Sequence, residues 1–265
     1  MSKIRFPTLF LSHGGGPWHV IPEMRAQFTQ TEALFNALPS LMPEKPKAIL
    51  MISAHWEEVE FTVSSAKNPP MIYDYSGFPA YTYELQYPAT GDPALANRVQ
   101  DLLKNAGIAC AENITRGFDH GAFVPLMLMY PQADLPVVTL SIKANYNPLE
   151  HIKLGETLAP LRDEGVLIIG SGYTYHNMRG YGRPESMQAS VAFEAYLTKA
   201  VEATQSTRNA MLIDWQQAPF AGQNHPREDH LIPLMVAAGA AGSDVGKRLL
   251  YDEAFGVVMA NYQFG

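Results

Sequence analysis

Short apolar runs alternate along this chain with segments of helical period. Residues 8–11, 48–54, 137–142 and 166–170 are largely apolar and too short for helices, as strands buried on both faces of a sheet are. Residues 92–107 spell out a helix. Asp92 suits the N-cap, Pro93 the first turn, Leu95, Val99, Leu102 and Leu103 share a face, and Gly107 stops it. Residues 148–161 and 186–202 also have helical spacing, and residues 228–238 open on acids, as helix amino ends favour. Strands separated by helices predict an α/β fold with a mostly parallel central sheet flanked by helices on both faces.

The stretch 57–88 breaks the rhythm. It is rich in Tyr, Pro and Gly after a β-like run at 61–64, and such long irregular excursions serve as lids or binding walls. Neither repeats nor an interdomain linker interrupt the chain, so residues 1–265 are expected to form a single domain.

Composition narrows the function. The chain is 47% hydrophobic and 17% charged, enough apolar material for a large core. Its 26 acidic residues outnumber 19 basic ones, with no basic block, so neither nucleic acid nor an anionic membrane is an expected partner. Cys110 is the only cysteine, which excludes an internal disulfide, a thiolate-only zinc site and a CxxCH haem attachment. The amino terminus carries Lys3 and Arg5, but Pro7 interrupts its apolar stretch before it reaches signal-peptide length. No run approaches the roughly 20 apolar residues of a membrane helix. A soluble cytoplasmic protein is expected, a monomer or small homo-oligomer.

The chemistry lies in the histidines. His13 follows the first predicted strand, His55 the second, and His176 comes shortly after the run at 166–170. In open parallel sheets ligands bind outside the carboxyl ends of the strands. His120 and His230 stand at loop-to-helix junctions, which fix a backbone while leaving the ring free to point into a cleft. His13, His55 and His230 beside Gly- or Pro-rich turns read as a shared metal site. Iron(II), zinc, nickel and copper all accept such imidazoles, whereas calcium and magnesium prefer oxygen. His19 and His151 read as structural, and His225 is left open.

Several near-motifs fail. His13-Gly14-Gly15-Gly16-Pro17 lacks the Lys-Ser/Thr ending of a phosphate loop and the third glycine of a dinucleotide fingerprint, so no nucleotide cofactor is expected. Its glycines instead let the backbone turn sharply at His13. Gly170-Ser171-Gly172 lacks the flanking glycines of a nucleophile elbow, and Asp229 stands where an inverted zinc-protease motif needs histidine.

Taken in order, Ser12-His13-Gly14-Gly15-Gly16-Pro17, Ser53-Ala54-His55-Trp56, Tyr73-Asp74-Tyr75-Ser76-Gly77-Phe78-Pro79, Tyr87-Pro88-Ala89-Thr90-Gly91, the block from Asp119-His120-Gly121 to Leu126, Gly170-Ser171-Gly172 with His176-Asn177, and the segment from His225 to His230 span nearly the whole chain. Together they resemble the class III extradiol ring-cleavage dioxygenases of LigB-like fold, in their DOPA-dioxygenase branch. The resemblance implies that His13, His55 and His230 hold a non-haem iron(II), with zinc as an alternative occupant. It implies His176 as the active-site acid/base and His120 as a histidine near bound substrate or oxygen. The partners implied are a small aromatic diol and dioxygen. Residues 173–175 and Thr90 depart from the branch's pattern, so chemistry is implied more sharply than substrate. The alternatives are a zinc hydrolase or amidase on the same histidines, with His176 or Glu228 as base, and a non-catalytic binding protein on a LigB-like scaffold.

Overall fold

The computed structural model describes residues 4–265. What the amino-terminal reading draws from Met1, Ser2 and Lys3 therefore lies outside the described residues.

The apolar runs become the centre of an eight-stranded sheet. Its strands are β1 (Thr8–Ser12), β2 (Ala48–Glu58), β3 (Phe61–Ser64), β4 (Cys110–Asn113), β5 (Val137–Lys143), β6 (Val166–Gly172), β7 (Gly246–Ala254) and β8 (Val257–Phe264), in the order β4-β3-β5-β2-β6-β1-β8-β7. Strands β5, β2, β6 and β1 run parallel. β3 joins β5 antiparallel, as β8 joins β1 and β7 joins β8.

Side-chain alternation divides the core. Ile49 and Met51 of β2 face a layer with Phe35, Leu38, Phe123 and Leu126 from helices Thr29–Leu41 and His120–Met129. Leu50 and Ile52 face the opposite layer, with Val99, Leu103, Leu154 and Val236 from helices Pro93–Asn105, Pro148–Leu158 and Ile232–Ala241. Single-residue alternation within one continuous apolar run is what a doubly covered parallel strand requires.

Helix Pro93–Asn105 begins as its residues predict, with the Asp92 carboxylate accepting from the N–H groups of Ala94 and Leu95, both at 3.0 Å. Helix Ile232–Ala241 is buried on every side, the pattern of a core helix. It crosses helix Pro148–Leu158 at a contact that leaves no room for side chains. A Cβ on Gly155 would lie 2.1 Å from the Val236 carbonyl oxygen, and one on Gly239 2.1 Å from that of Ile152. Its last carbonyls are capped by two buried guanidinium groups. Arg162 donates to Ala240 and Ala241 at 3.0 Å, and Arg208 to Ala238 at 3.1 Å and to Gly242.

The acidic start expected for this helix at Glu228 is displaced. Residues 225–231 form turns, closed by N–H groups of Leu231 and Ile232 on the Glu228 carbonyl, and the helix begins at Ile232. Among the described residues no helix is long and apolar enough to cross a membrane.

Candidate active site

The histidine-bearing segments meet where β1, β2 and β6 end. The His13 N–H donates to the Gly172 carbonyl at 3.1 Å, and the Tyr173 N–H to the His230 carbonyl at 2.9 Å. These bonds carry β1, β6 and the approach to helix Ile232–Ala241 into one corner. His55 lies within β2, not beyond it, where the register with β5 shifts between Ile52 and Glu57. Such an irregularity re-aims a side chain. Gly14 (φ 81°) and Gly16 (φ 55°) take the left-handed backbone that the tight turn after His13 needs.

A carbonyl or carboxylate oxygen lies beside Nδ1 of each metal-candidate ring. His13 Nδ1 donates to the Gly14 carbonyl at 2.7 Å, His55 Nδ1 lies 3.3 Å from Asp74 Oδ2, and His230 Nδ1 lies 3.0 Å from Asp229 Oδ2. With hydrogen at Nδ1, each Nε2 carries a lone pair. His13 Nε2 is buried without a partner, and the Nε2 atoms of His55 and His230 face each other at 3.2 Å. In that tautomer two lone pairs meet at hydrogen-bond distance, an arrangement that a proton or a metal cation between them would relieve. Donor atoms of the three residues fall within 4.8 Å of one another, so they fit a borderline metal ion.

Burial keeps these imidazoles neutral, the form that ligates. Burial and the neighbouring histidines hold His13 well below its ordinary value, burial dominates for His230, and burial with His120 lowers His55 to about 4. Two carboxylates orient the rings. Burial would raise the Asp74 carboxyl, but hydrogen bonding and charge from His120, with charge from His55, bring it down to about 2. Burial likewise opposes Asp229, yet its contacts with His176 and His230 keep it well below the usual carboxylate range.

His120 and His176 flank the cluster. His120 opens helix His120–Met129, with its N–H at 3.0 Å and Nδ1 at 2.8 Å from Asp74 Oδ1. Asp74 thus spans His55 and His120. His176 stacks on His230 with ring centres 3.4 Å apart, its Nδ1 3.8 Å from Asp229 Oδ1. Asp119 caps the His120 helix through Ala122 N–H, and accepts from Ser53 Oγ at 2.6 Å and Arg116 at 2.7 Å.

All five histidines line one cavity of about 430 Å³, with the glycine loop and Tyr75, Phe78, Tyr173, Tyr181 and Phe255 among the remaining walls. Of the aromatic side chains in or beside the sequence motifs, Tyr75, Phe78 and Tyr173 reach it, whereas Trp18, Trp56, Tyr73, Phe123 and Tyr175 do not line it. Asp74 and Asp229 were missed as ring-orienting groups. Their signal was their position, one in the irregular excursion and one beside His230.

The remaining candidates fall elsewhere. His151 is satisfied by the Asn147 carbonyl and the Lys143 N–H, and His225 Nε2 donates to the Thr174 carbonyl while its Nδ1 is buried without a partner, both away from the cavity. His19 is buried outside it. Glu228 turns to Gln216, and Ser171 Oγ donates to the Gly121 carbonyl.

A largely parallel sheet whose strand ends deliver converging imidazoles into an aromatic-walled cavity defines a metal-dependent enzyme of the LigB type. The chain belongs to that family, described as the catalytic LigB subunit of aromatic ring-opening dioxygenase, which matches residues 7–265. It is 40% identical over 262 residues to 4,5-DOPA dioxygenase extradiol of Beta vulgaris, covering 97% of this chain and 96% of that protein. It is 34% identical to dioxygenase tasH of Hapsidospora irregularis, over 98% of this chain and 85% of that one. The crystal structure of the uncharacterized protein JW3007 from Escherichia coli K12 superposes with a TM-score of 0.80 at 29% identity, covering 98% of this chain and 100% of that one.

Proposed function

We propose that the protein opens the ring of a catechol by extradiol cleavage, with dioxygen as co-substrate, and that His13, His55 and His230 bind iron(II) as the native metal. The convergence of their lone-pair nitrogens carries this reading. An iron(II) ion held there supplies shared coordination and an electron route between two otherwise unreactive partners. The protein's groups do the remainder. Asp74 and Asp229 hold the His55 and His230 rings with Nδ1 turned away from the cavity. His176, stacked over His230 at the cavity wall, takes a catechol hydroxyl proton and returns a proton during ring opening. His120, fixed by Asp74, presents its other nitrogen beside the bound diol or oxygen. The aromatic walls hold the ring and keep water from it. The whole chain acts as one catalytic domain, and its lone cysteine and histidine ligands suit a reducing cytoplasm.

The test is anaerobic reconstitution with iron(II) or zinc, then admission of air with a catechol panel, following oxygen uptake and the yellow semialdehyde product. Iron-dependent colour with matched oxygen consumption is expected. Metal binding without oxygen uptake on any catechol would refute ring opening.

A further inference from the structure

We infer that the substrate is a catechol bearing an uncharged, apolar substituent, an alkyl or aryl group rather than an amino-acid or carboxylate arm. This rests on the ring-opening reading for the diol end and adds what the rest of the cavity selects. Beyond the histidines and the glycine loop the described walls are methionine and aromatic side chains, whose oxygens are the hydroxyls of Tyr75, Tyr173 and Tyr181. Tyr75 and Phe78 pack at 5.5 Å between ring centres. Phe28 and Tyr181 both pack on Phe255, at 5.6 and 6.2 Å. Met178 completes the lining and is 70% exposed, which places it at the rim.

Among the described residues no Lys, Arg, Asp or Glu lines this cavity. The Tyr75 hydroxyl is spent on the Thr82 carbonyl at 2.6 Å, which turns it from an incoming ligand. The charges adjoining wall residues in sequence are engaged or outside. Arg25, beside Met24, is paired with Glu32. Asp74 and Asp229 are committed to histidines. Arg179, beside Met178, is exposed and does not line the cavity.

A carboxylate or ammonium entering beyond the histidines loses hydration and meets no Lys, Arg, Asp or Glu of the lining, whereas methylene groups gain burial. The cavity, at about 430 Å³, lies within the roughly 300–1,000 Å³ of pockets that enclose substituted ring ligands. Selection here works by rejection of charge as much as by attraction of hydrocarbon.

The experiment reads binding separately from turnover. Zinc-loaded protein, which does not carry out the oxidation, is titrated calorimetrically with catechol, a 4-alkylcatechol series, 4-phenylcatechol, DOPA and protocatechuate. The iron(II) protein is assayed for kcat/KM on the same compounds. Affinity is expected to climb about fourfold per methylene until the cavity is filled. DOPA and protocatechuate should bind at least about tenfold more weakly than an alkylcatechol of equal length. Met178→Arg should narrow that gap by giving a carboxylate a partner. Arg179→Ala should leave the series unchanged.

Equal or tighter binding of DOPA or protocatechuate overturns the inference, and loss of that binding in Arg179→Ala would identify the cation responsible. The expected affinity order with no ring opening by the iron protein upholds the selectivity and sinks the ring-cleavage reading, so the two failures are distinguishable.

Discussion

Asp74 concentrates two tasks in one side chain. One oxygen faces His55 Nδ1 and the other takes both the His120 ring and its backbone N–H. Asp74→Asn should lower zinc affinity by about 10–100-fold in a chelator competition, with the fold intact by circular dichroism. His176→Ala should reduce kcat by about 10²–10⁴ while bound metal is unchanged. A full ring-opening rate in that variant would remove His176 from proton transfer. His151 predicts acid sensitivity away from the site. Burial lowers its imidazole to about 4, below the ordinary value near 6.5. The unfolded chain therefore binds the extra proton first, and its share of stability, present above about pH 6.5, is lost as pH falls toward about 4, on the order of 2–3 kcal/mol. The other buried histidines add to the same slope, so urea midpoints across this window should fall less steeply in His151→Gln by that share.

Secondary structure was most legible where local chemistry and tertiary packing agree. Asp92, Pro93 and Gly107 marked helix Pro93–Asn105 almost to the residue, and Asp92→Ala should cost about 1 kcal/mol in chemical denaturation. The β7–β8 hairpin escaped notice because its turn is Phe255-Gly256, with φ of 51° and 74°. Two left-handed residues suit a tight hairpin, but without Asn or Asp the usual signal is absent. The helix at Ile232 starts later than its acids suggest because Asp229 and His230 are held by the site. Where helices touch through Gly155 and Gly239, nothing in local periodicity announces the contact. Gly155→Ala should destabilise by about 1–3 kcal/mol, read from the urea midpoint, since its methyl meets backbone that has no room to retreat.

Across the whole molecule, the histidines could be read from the chain because imidazoles beside strand ends are few and chemically specific. The cavity walls could not. Met24 comes from a single helical turn, Pro22–Arg25, and Phe28, Tyr181 and Phe255 from turns and loop ends with no shared period, where an aromatic looks like any core residue until the fold closes. Coupling between site and stability is directly measurable. Zinc at a hundredfold excess over its Kd should stabilise the protein by about 2.7 kcal/mol, raising Tm by roughly 2–4 °C per kcal/mol for a chain near this size. His13→Ala should abolish that increment in a thermal melt, while a metal-independent Tm would show that these side chains do not hold the ion.

The first strand finds its neighbours late. Thr8 of β1 aligns with Ile168 on one side and Phe264 on the other, so during synthesis it waits for residues more than 150 and 250 positions later to leave the ribosome. His13 and His55 emerge early, but His230, which completes their cluster, follows some 175 positions after His55. No nascent fragment possesses the assembled nest of nitrogens, and pairing over such separations is slow. If His13, His55 and His230 hold a metal as proposed, its capture follows the synthesis of all three segments, and the divalent metals of the surrounding pool compete for the site from then on.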